Sequence, residues 1–200
     1  MLTFFQAIVI GLFQGVTELF PVSSLGHSVL IPYIFGWHNI VTSQSQSESY
    51  FLAFLVALHV ATATALLIFY RKEWLKLFKA LYTSVRYRRI TNGYERLIWL
   101  LIIATIPAGL TGLVFEHVLR TQFAKPMAAA VFLSINGLIL FAGDHVAKKQ
   151  AQKREDFSMH TTAEHTAKAL SPKRAGLIGT AQVLALIAGI SRSGITLVSG

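Results

Sequence analysis

Apolar residues fill four long stretches of the chain, near positions 4–20, 51–70, 97–115 and 126–143, with polar residues gathered between them. Three of the four are close to the roughly 20 residues that carry an α-helix across a bilayer. The pattern predicts an all-α integral membrane protein in one membrane domain over 1–200, with spans at 51–70, 97–119 and 125–146. The first stretch behaves differently. It ends at Glu18 and is interrupted by "PVSSLGH" (21–27) before apolar sequence resumes. If the arms on either side of this break were both spans, the second (27–37) would have only eleven residues, too short to cross. Two half-length arms forming a re-entrant hairpin over 1–37 fit better. Irregular backbone at membrane depth requires protein or a water-filled cavity around it, so the PVSSLGH turn is expected to be the buried tip of that hairpin.

Basic residues set the expected sidedness. Of eighteen Lys and Arg, eight lie between Arg71 and Arg96 and seven between Lys148 and Arg174. The positive-inside rule places both loops in the cytoplasm. The link near Arg120–Lys125 and the polar stretch 38–49, which has no Lys or Arg, then lie outside. The same clustering accounts for the formal net charge of +9 without invoking nucleic acid. Composition agrees with a bilayer. Hydrophobic residues make up 54% and charged residues 14%, against about 25% charged in soluble domains. The absence of cysteine excludes disulfide and thiolate chemistry. The N-terminus has no basic n-region, the first basic residue being Arg71, so it does not read as a signal peptide. The 71–91 stretch, with Trp74, Phe78 and Tyr82 among its basic residues, suits either an amphipathic helix on anionic headgroups or a short loop helix.

Residues 8–27 and 176–195 resemble each other at an offset of 168. Ile10, Gly11, Gln14, Ser23 and Gly26 match Ile178, Gly179, Gln182, Ser191 and Gly194. The first unit enters from outside and the second follows a cytoplasmic loop, so the two form an inverted repeat. That design places a site where broken helices meet near the midplane. The repeat divides the chain into 1–146, a polar cytoplasmic linker at 147–172 and the start of a second repeat at 173–200. His160 and His165 in the linker are expected to be solvated.

Glu18, the only acid in the first 47 residues, is the sharpest chemical signal, because an ionisable group at membrane depth is costly. Gln14 projects from the same helix face one turn earlier. Ser23, Ser24 and His27 could singly be a helix cap or a core histidine. Grouped with Glu18 they supply a nucleophile, a base and an acid. The second tip, "GISRSG" (189–194), holds Arg192 between Ser191 and Ser193, with Thr196 a turn later. Free N–H groups at a helix start and an arginine fork suit phosphate. The alternative there is an internal salt bridge from Arg192 to Glu18. His59, mid-span with Thr62 and Thr64, is expected to hydrogen-bond between helices rather than act in catalysis. Glu116, His117, Asp144 and His145 sit at span ends and are expected to be interfacial.

The two tips, "QGVTELFPVSSLGH" (14–27) and "GISRSGIT" (189–196), resemble the bacterial undecaprenyl-diphosphate phosphatases, known also for bacitracin resistance. The stretches "FLVALHVATATALLIFYRKEW" and "IATIPAGLTGLVFE" and the Gly143–Asp144 pair occur in the same order. The resemblance implies hydrolysis of undecaprenyl diphosphate to the monophosphate carrier of cell-wall synthesis. It implies catalytic roles for Glu18, Ser24, His27 and Arg192, and substrate binding by Gln14, Ser23, Ser191, Arg192, Ser193, Gly194 and Thr196. It further implies a divalent cation, Mg²⁺ or Ca²⁺, with Glu18 as ligand, and a bacterial inner-membrane location with the site facing the periplasm. Gln14 in place of a second carboxylate weakens a two-acid metal cage. Two features depart from the family: Ala188 stands where proline is usual, and family members run on beyond the point where this chain ends. The second repeat is therefore expected to be incomplete at Gly200, and 1–200 alone poorly stable and weakly active. The rival reading is a transporter or flippase for an anionic lipid or small anion. The sequence leaves a homodimer open.

Overall fold

The computed structural model describes residues 2–43, 49–116, 118, 125–153 and 170–199. Among these the chain is all α, with no strand. The first hairpin is α1 (Phe4–Leu19) and α2 (Ser24–Ile34). A short helix α3 (His38–Ser43) leads to α4 (Tyr50–Phe69), then α5 (Arg71–Tyr87), α6 (Gly93–Val114) and α7 (Pro126–Lys153). The second hairpin is α8 (Pro172–Ala181), a 3₁₀ turn Gln182–Leu186 and α9 (Arg192–Ser199). Among the described residues, helices α4, α6 and α7 are the three long and apolar enough to cross a membrane.

The hairpin arms are shorter. At 1.5 Å per residue, α1 with 16 residues reaches about 24 Å, and α2, α8 and α9 about 12–17 Å. None matches the roughly 30 Å of a hydrocarbon core.

Local chemistry sets the boundaries. Thr3 and Gln6 close a capping box at the start of α1: Gln6 N–H donates to Thr3 Oγ1 at 3.3 Å and Thr3 N–H to Gln6 Oε1 at 2.9 Å. Phe20 leaves the helix in extended backbone, as the residue before a proline prefers. Helix α6 begins at Gly93, four residues before the expected span. Asn92 caps it, Glu95 answers from the third position, and so the first turn absorbs a carboxylate that had read as loop. It ends at Val114 rather than 119. The fourth apolar stretch runs on as helix to Lys153, past the expected 146. Alanine, lysine and glutamine are good helix formers, and Asp144 pairs with Lys148 one turn on at 2.7 Å. Most of the expected linker, including His160 and His165, lies outside the described residues, as does His117.

The small core joins the first hairpin to the first span. Ile10, Ile40, Phe51 and Leu55 are buried together, with Leu25, Trp37 and Leu58 against them. Helix α5 packs on α6, where Trp99 Nε1–H donates to Ser84 at 3.0 Å. Its Leu75, Phe78, Tyr82 and Val85 are exposed. At the other end, α8 lies so close on α6 that a Cβ at Gly179 would sit 2.3 Å from the Ala104 carbonyl oxygen. Helix α7 carries both α2 and α9, and so the tips of the two hairpins share one wall.

Candidate active site between two helical tips

The two turns are built alike. At the first, Ser23 Oγ accepts the Gly26 N–H at 3.4 Å; at the second, Ser191 Oγ accepts the Gly194 N–H at 3.2 Å. These are the pairs related by the 168-residue offset. Each serine thereby caps the helix that follows it. Ser23 adopts φ 61°, an uncommon conformation for a residue with a Cβ.

The tips touch each other. A Cβ at Gly26 would lie 2.8 Å from the Gly189 Cα. Ser23 Oγ also accepts the Gly189 N–H at 3.2 Å across the contact. Gly189 itself has φ +111° and lies against the α7 backbone at Ala129 and Leu133. A side chain there would meet both obstacles.

Beside this contact is a cavity of about 530 Å³, lined on one side by Thr17, Glu18, Ser23, Ser24 and His59, and on the other by Gln182, Ser191, Arg192, Ser193 and Thr196. Its volume falls within the range of small-molecule sites. Ser24 Oγ donates to Glu18 Oε2 at 2.5 Å. Gln14 Nε2 donates to the same oxygen at 3.1 Å. His59 Nε2 stands 3.5 Å from Ser24 Oγ and 3.7 Å from Glu18 Oε2. The His59 Nδ1–H donates to the Leu55 carbonyl at 2.8 Å. A carbonyl can only accept, so the proton is on Nδ1 and Nε2 faces the serine and the carboxylate.

Opposite, Arg192 extends an exposed guanidinium. Among the described residues it makes no hydrogen bond or ion pair, and the alternative salt bridge to Glu18 is not formed. Thr196 Oγ1 donates back to the Arg192 carbonyl at 2.7 Å, and Ser191 and Ser193 hydroxyls lie 3.0 Å apart.

The structure thus brings Glu18, Ser23, Ser24, Ser191, Arg192, Ser193 and Thr196 to one cavity. Three other candidates stand apart. Gln14 is buried behind Glu18, with its Oε1 unpartnered. The Gly194 N–H is consumed by Ser191. His27 does not line the cavity; its Nδ1–H donates to the Ser23 carbonyl at 2.9 Å. The imidazole beside Ser24 Oγ is that of His59.

One residue with no local signal also matters. Asn136 of α7 is 2% exposed. It donates Nδ2–H to the Pro21 carbonyl at 3.1 Å and accepts the Ser191 N–H on Oδ1 at 2.9 Å.

A divalent cation has a limited donor set here. Among the described residues, no group of three or more His, Cys, Asp or Glu could hold a metal ion. Glu18 is the single carboxylate of the cavity. Mg²⁺ is commonly held by one carboxylate together with substrate phosphates and water, so the site fits such an ion only in company with its substrate.

Fold and site together define a class: an all-α membrane protein with a polar, anion-ready chamber enclosed by two helical tips. Residues 7–200 match the family described as Bacitracin resistance protein BacA, and the chain belongs to that family. It is 44% identical to undecaprenyl-diphosphatase 2 of Frankia alni, a match covering all of this chain and 72% of that protein. It is 45% identical to the undecaprenyl-diphosphatase of Mycolicibacterium paratuberculosis, again over the whole chain and 68% of the relative. The undecaprenyl-diphosphatase 2 of Chromobacterium violaceum is also 45% identical, over 98% of this chain and 64% of its own length.

Proposed function

We propose that the chain hydrolyses undecaprenyl diphosphate to undecaprenyl phosphate and inorganic phosphate, recycling the carrier lipid of cell-wall synthesis and so opposing bacitracin. The observation that carries this is the cavity itself. A hydroxyl already bonded to a carboxylate shares the cavity with a guanidinium that has no partner among the described residues, which is the equipment for attack on a phosphorus held by its oxygens. The family membership and the names of the relatives support the substrate.

The Arg192 side chain and the Ser193 N–H in the first turn of α9 bind the diphosphate and offset charge on the transferring phosphoryl group, the main task in this chemistry. Ser24 Oγ loses its proton to Glu18 Oε2 and attacks the terminal phosphorus. The phosphoanhydride bond breaks, and undecaprenyl phosphate leaves with the bridging oxygen and takes up the proton held by Glu18. Water, deprotonated by Glu18 or His59, then attacks the phosphorus on Ser24, and the Oγ–phosphorus bond breaks with that proton returned to Oγ. In the competing route the same carboxylate activates water directly and Ser24 only orients. A bound Mg²⁺ or Ca²⁺, held by Glu18 with substrate oxygens, would add charge neutralisation at the phosphoryl group. The prenyl tail lies among the spans, where apolar burial contributes binding.

The short arms α1–α2 and α8–α9 enter the bilayer as re-entrant hairpins from opposite faces of the bacterial inner membrane, and the cavity opens to the periplasm. The basic loops and the arm lengths support this arrangement. A transporter or flippase could use the same broken helices. Hydrolysis needs only one compartment, so phosphate release from undecaprenyl diphosphate by the purified chain in detergent decides between them. Release above the enzyme-free blank is expected. None at any Mg²⁺ or Ca²⁺ concentration, with the chain folded, would reject the phosphatase. Ser24→Ala separates the two routes: turnover close to the parent's would end the covalent one.

A further inference from the structure

Asn136 sits ten residues into α7, about 15 Å along a helix that rises 1.5 Å per residue. That is near half the thickness of a hydrocarbon core. At that depth water is scarce, and backbone polar groups need protein partners. Two such groups lie beside it, the carbonyl of Pro21 in the first turn and the N–H of Ser191 in the second. One is only an acceptor and the other only a donor. A side chain serving both must offer a donor and an acceptor side by side, as a carboxamide does and a carboxylate or hydrocarbon does not. The same partners fix which end of the amide is which.

We propose that Asn136 is a positioning residue for the reaction, setting the distance between the Glu18–Ser24 pair and Arg192. The residue does not line the cavity and does not touch substrate. It acts through the turns it holds. Pro21 lies three residues from Glu18 and three from Ser24, and Ser191 is the immediate neighbour of Arg192. Among the described residues the Ser23–Gly189 bond also joins the turns directly, and Gly189 packs on the α7 backbone, but neither contact hydrogen-bonds the first turn to α7. Asn136 ties both to the wall.

The kinetic half of this inference rests on the phosphatase reading; the structural half does not. The experiment therefore has two arms, read on Asn136→Leu, which removes both bonds, and on Asn136→Asp, which keeps only the acceptor and takes over if the leucine variant does not fold. In the first arm, spin labels are placed at the exposed positions of Phe20→Cys and Leu197→Cys in this cysteine-free chain, and the distance between them is measured. The variants are expected to widen and broaden that distance. In the second arm, kcat per folded molecule on undecaprenyl diphosphate is expected to fall by about tenfold to a hundredfold, the size of effect a misplacement of about 1 Å produces, with KM changed less. In an Arg192→Ala background the further loss is expected to shrink to under about threefold, because residues acting as a unit are not additive. A lowered melting temperature with unchanged label distance would overturn the positioning role, and so would kcat within about twofold of the parent. Asn136 would then be a helix-to-helix bond alone. If the parent releases no phosphate, the phosphatase reading fails and the label distance decides the clamp by itself.

Discussion

At the first tip, the reactive groups are already committed to one another. Glu18 accepts from Ser24 and Gln14, His59 stands over both, and Ser23 and Ser24 are buried. At the second tip, the helix start is as well capped, yet Arg192 and Ser193 are exposed and the guanidinium has no partner among the described residues. Two turns of one design thus differ: the polar side chains of one bond to each other, and the other presents an exposed guanidinium. Preorganised donors aimed at developing charge stabilise a transition state without reorganisation. A carboxylate close to a nucleophile benefits from being fixed before the substrate arrives. The division of labour follows from charge, since a carboxylate paired to the guanidinium would occupy the place of the phosphate.

The largest effect should come from the arginine side. Arg192→Ala is expected to lower kcat/KM by about a thousandfold or more, the range for arginines that stabilise phosphoryl transfer. Turnover within about tenfold of the parent would show that the second tip is not the anion clamp. A smaller effect distinguishes the two histidines. His59→Gln is expected to cost about a hundredfold in kcat, the lower range for general acid–base groups. His27→Gln should cost far less, because that ring is bonded to the Ser23 carbonyl away from the cavity. The opposite order in steady-state kinetics would return the proton-handling role to His27. The smallest effect concerns the contact between the tips. Gly26→Ala drives a methyl into Gly189 and should destabilise by about 1–3 kcal/mol, as overpacking does. Gly15→Ala has nothing within 4 Å and should be neutral or gain up to about 1 kcal/mol from helix propensity. Thermal unfolding in detergent measures both.

Much of the frame was legible because lipid makes polar residues conspicuous. Glu18 and Arg192 stand out of apolar sequence, and the matched Ser and Gly positions at an offset of 168 foretell two turns with the same Ser-to-Gly bond. What could not be read was convergence. His27 is near Ser24 in sequence and His59 is 35 residues away, but a local bond ties the first ring to Ser23 while α4 delivers the second to Ser24. Asn136 gave no signal. A single amide in an apolar span is common as a bond between helices, and only the arrival of turns from 115 and 55 residues away makes it a clamp. Span ends shifted for a simpler reason. Capping absorbs charged residues into helix, and helix formers beyond an apolar stretch prolong it.

The bond from Gly189 to Ser23 joins positions 166 residues apart. A ribosome makes the first turn long before the second exists. Until then Ser23 lacks its distant donor, and the Pro21 carbonyl and the Glu18 carboxylate sit in a half-built chamber. Long-range contacts of this kind are slow to form, so the first turn, its Glu18 bonded within its own hairpin, waits for the Gly189 N–H until the second hairpin docks.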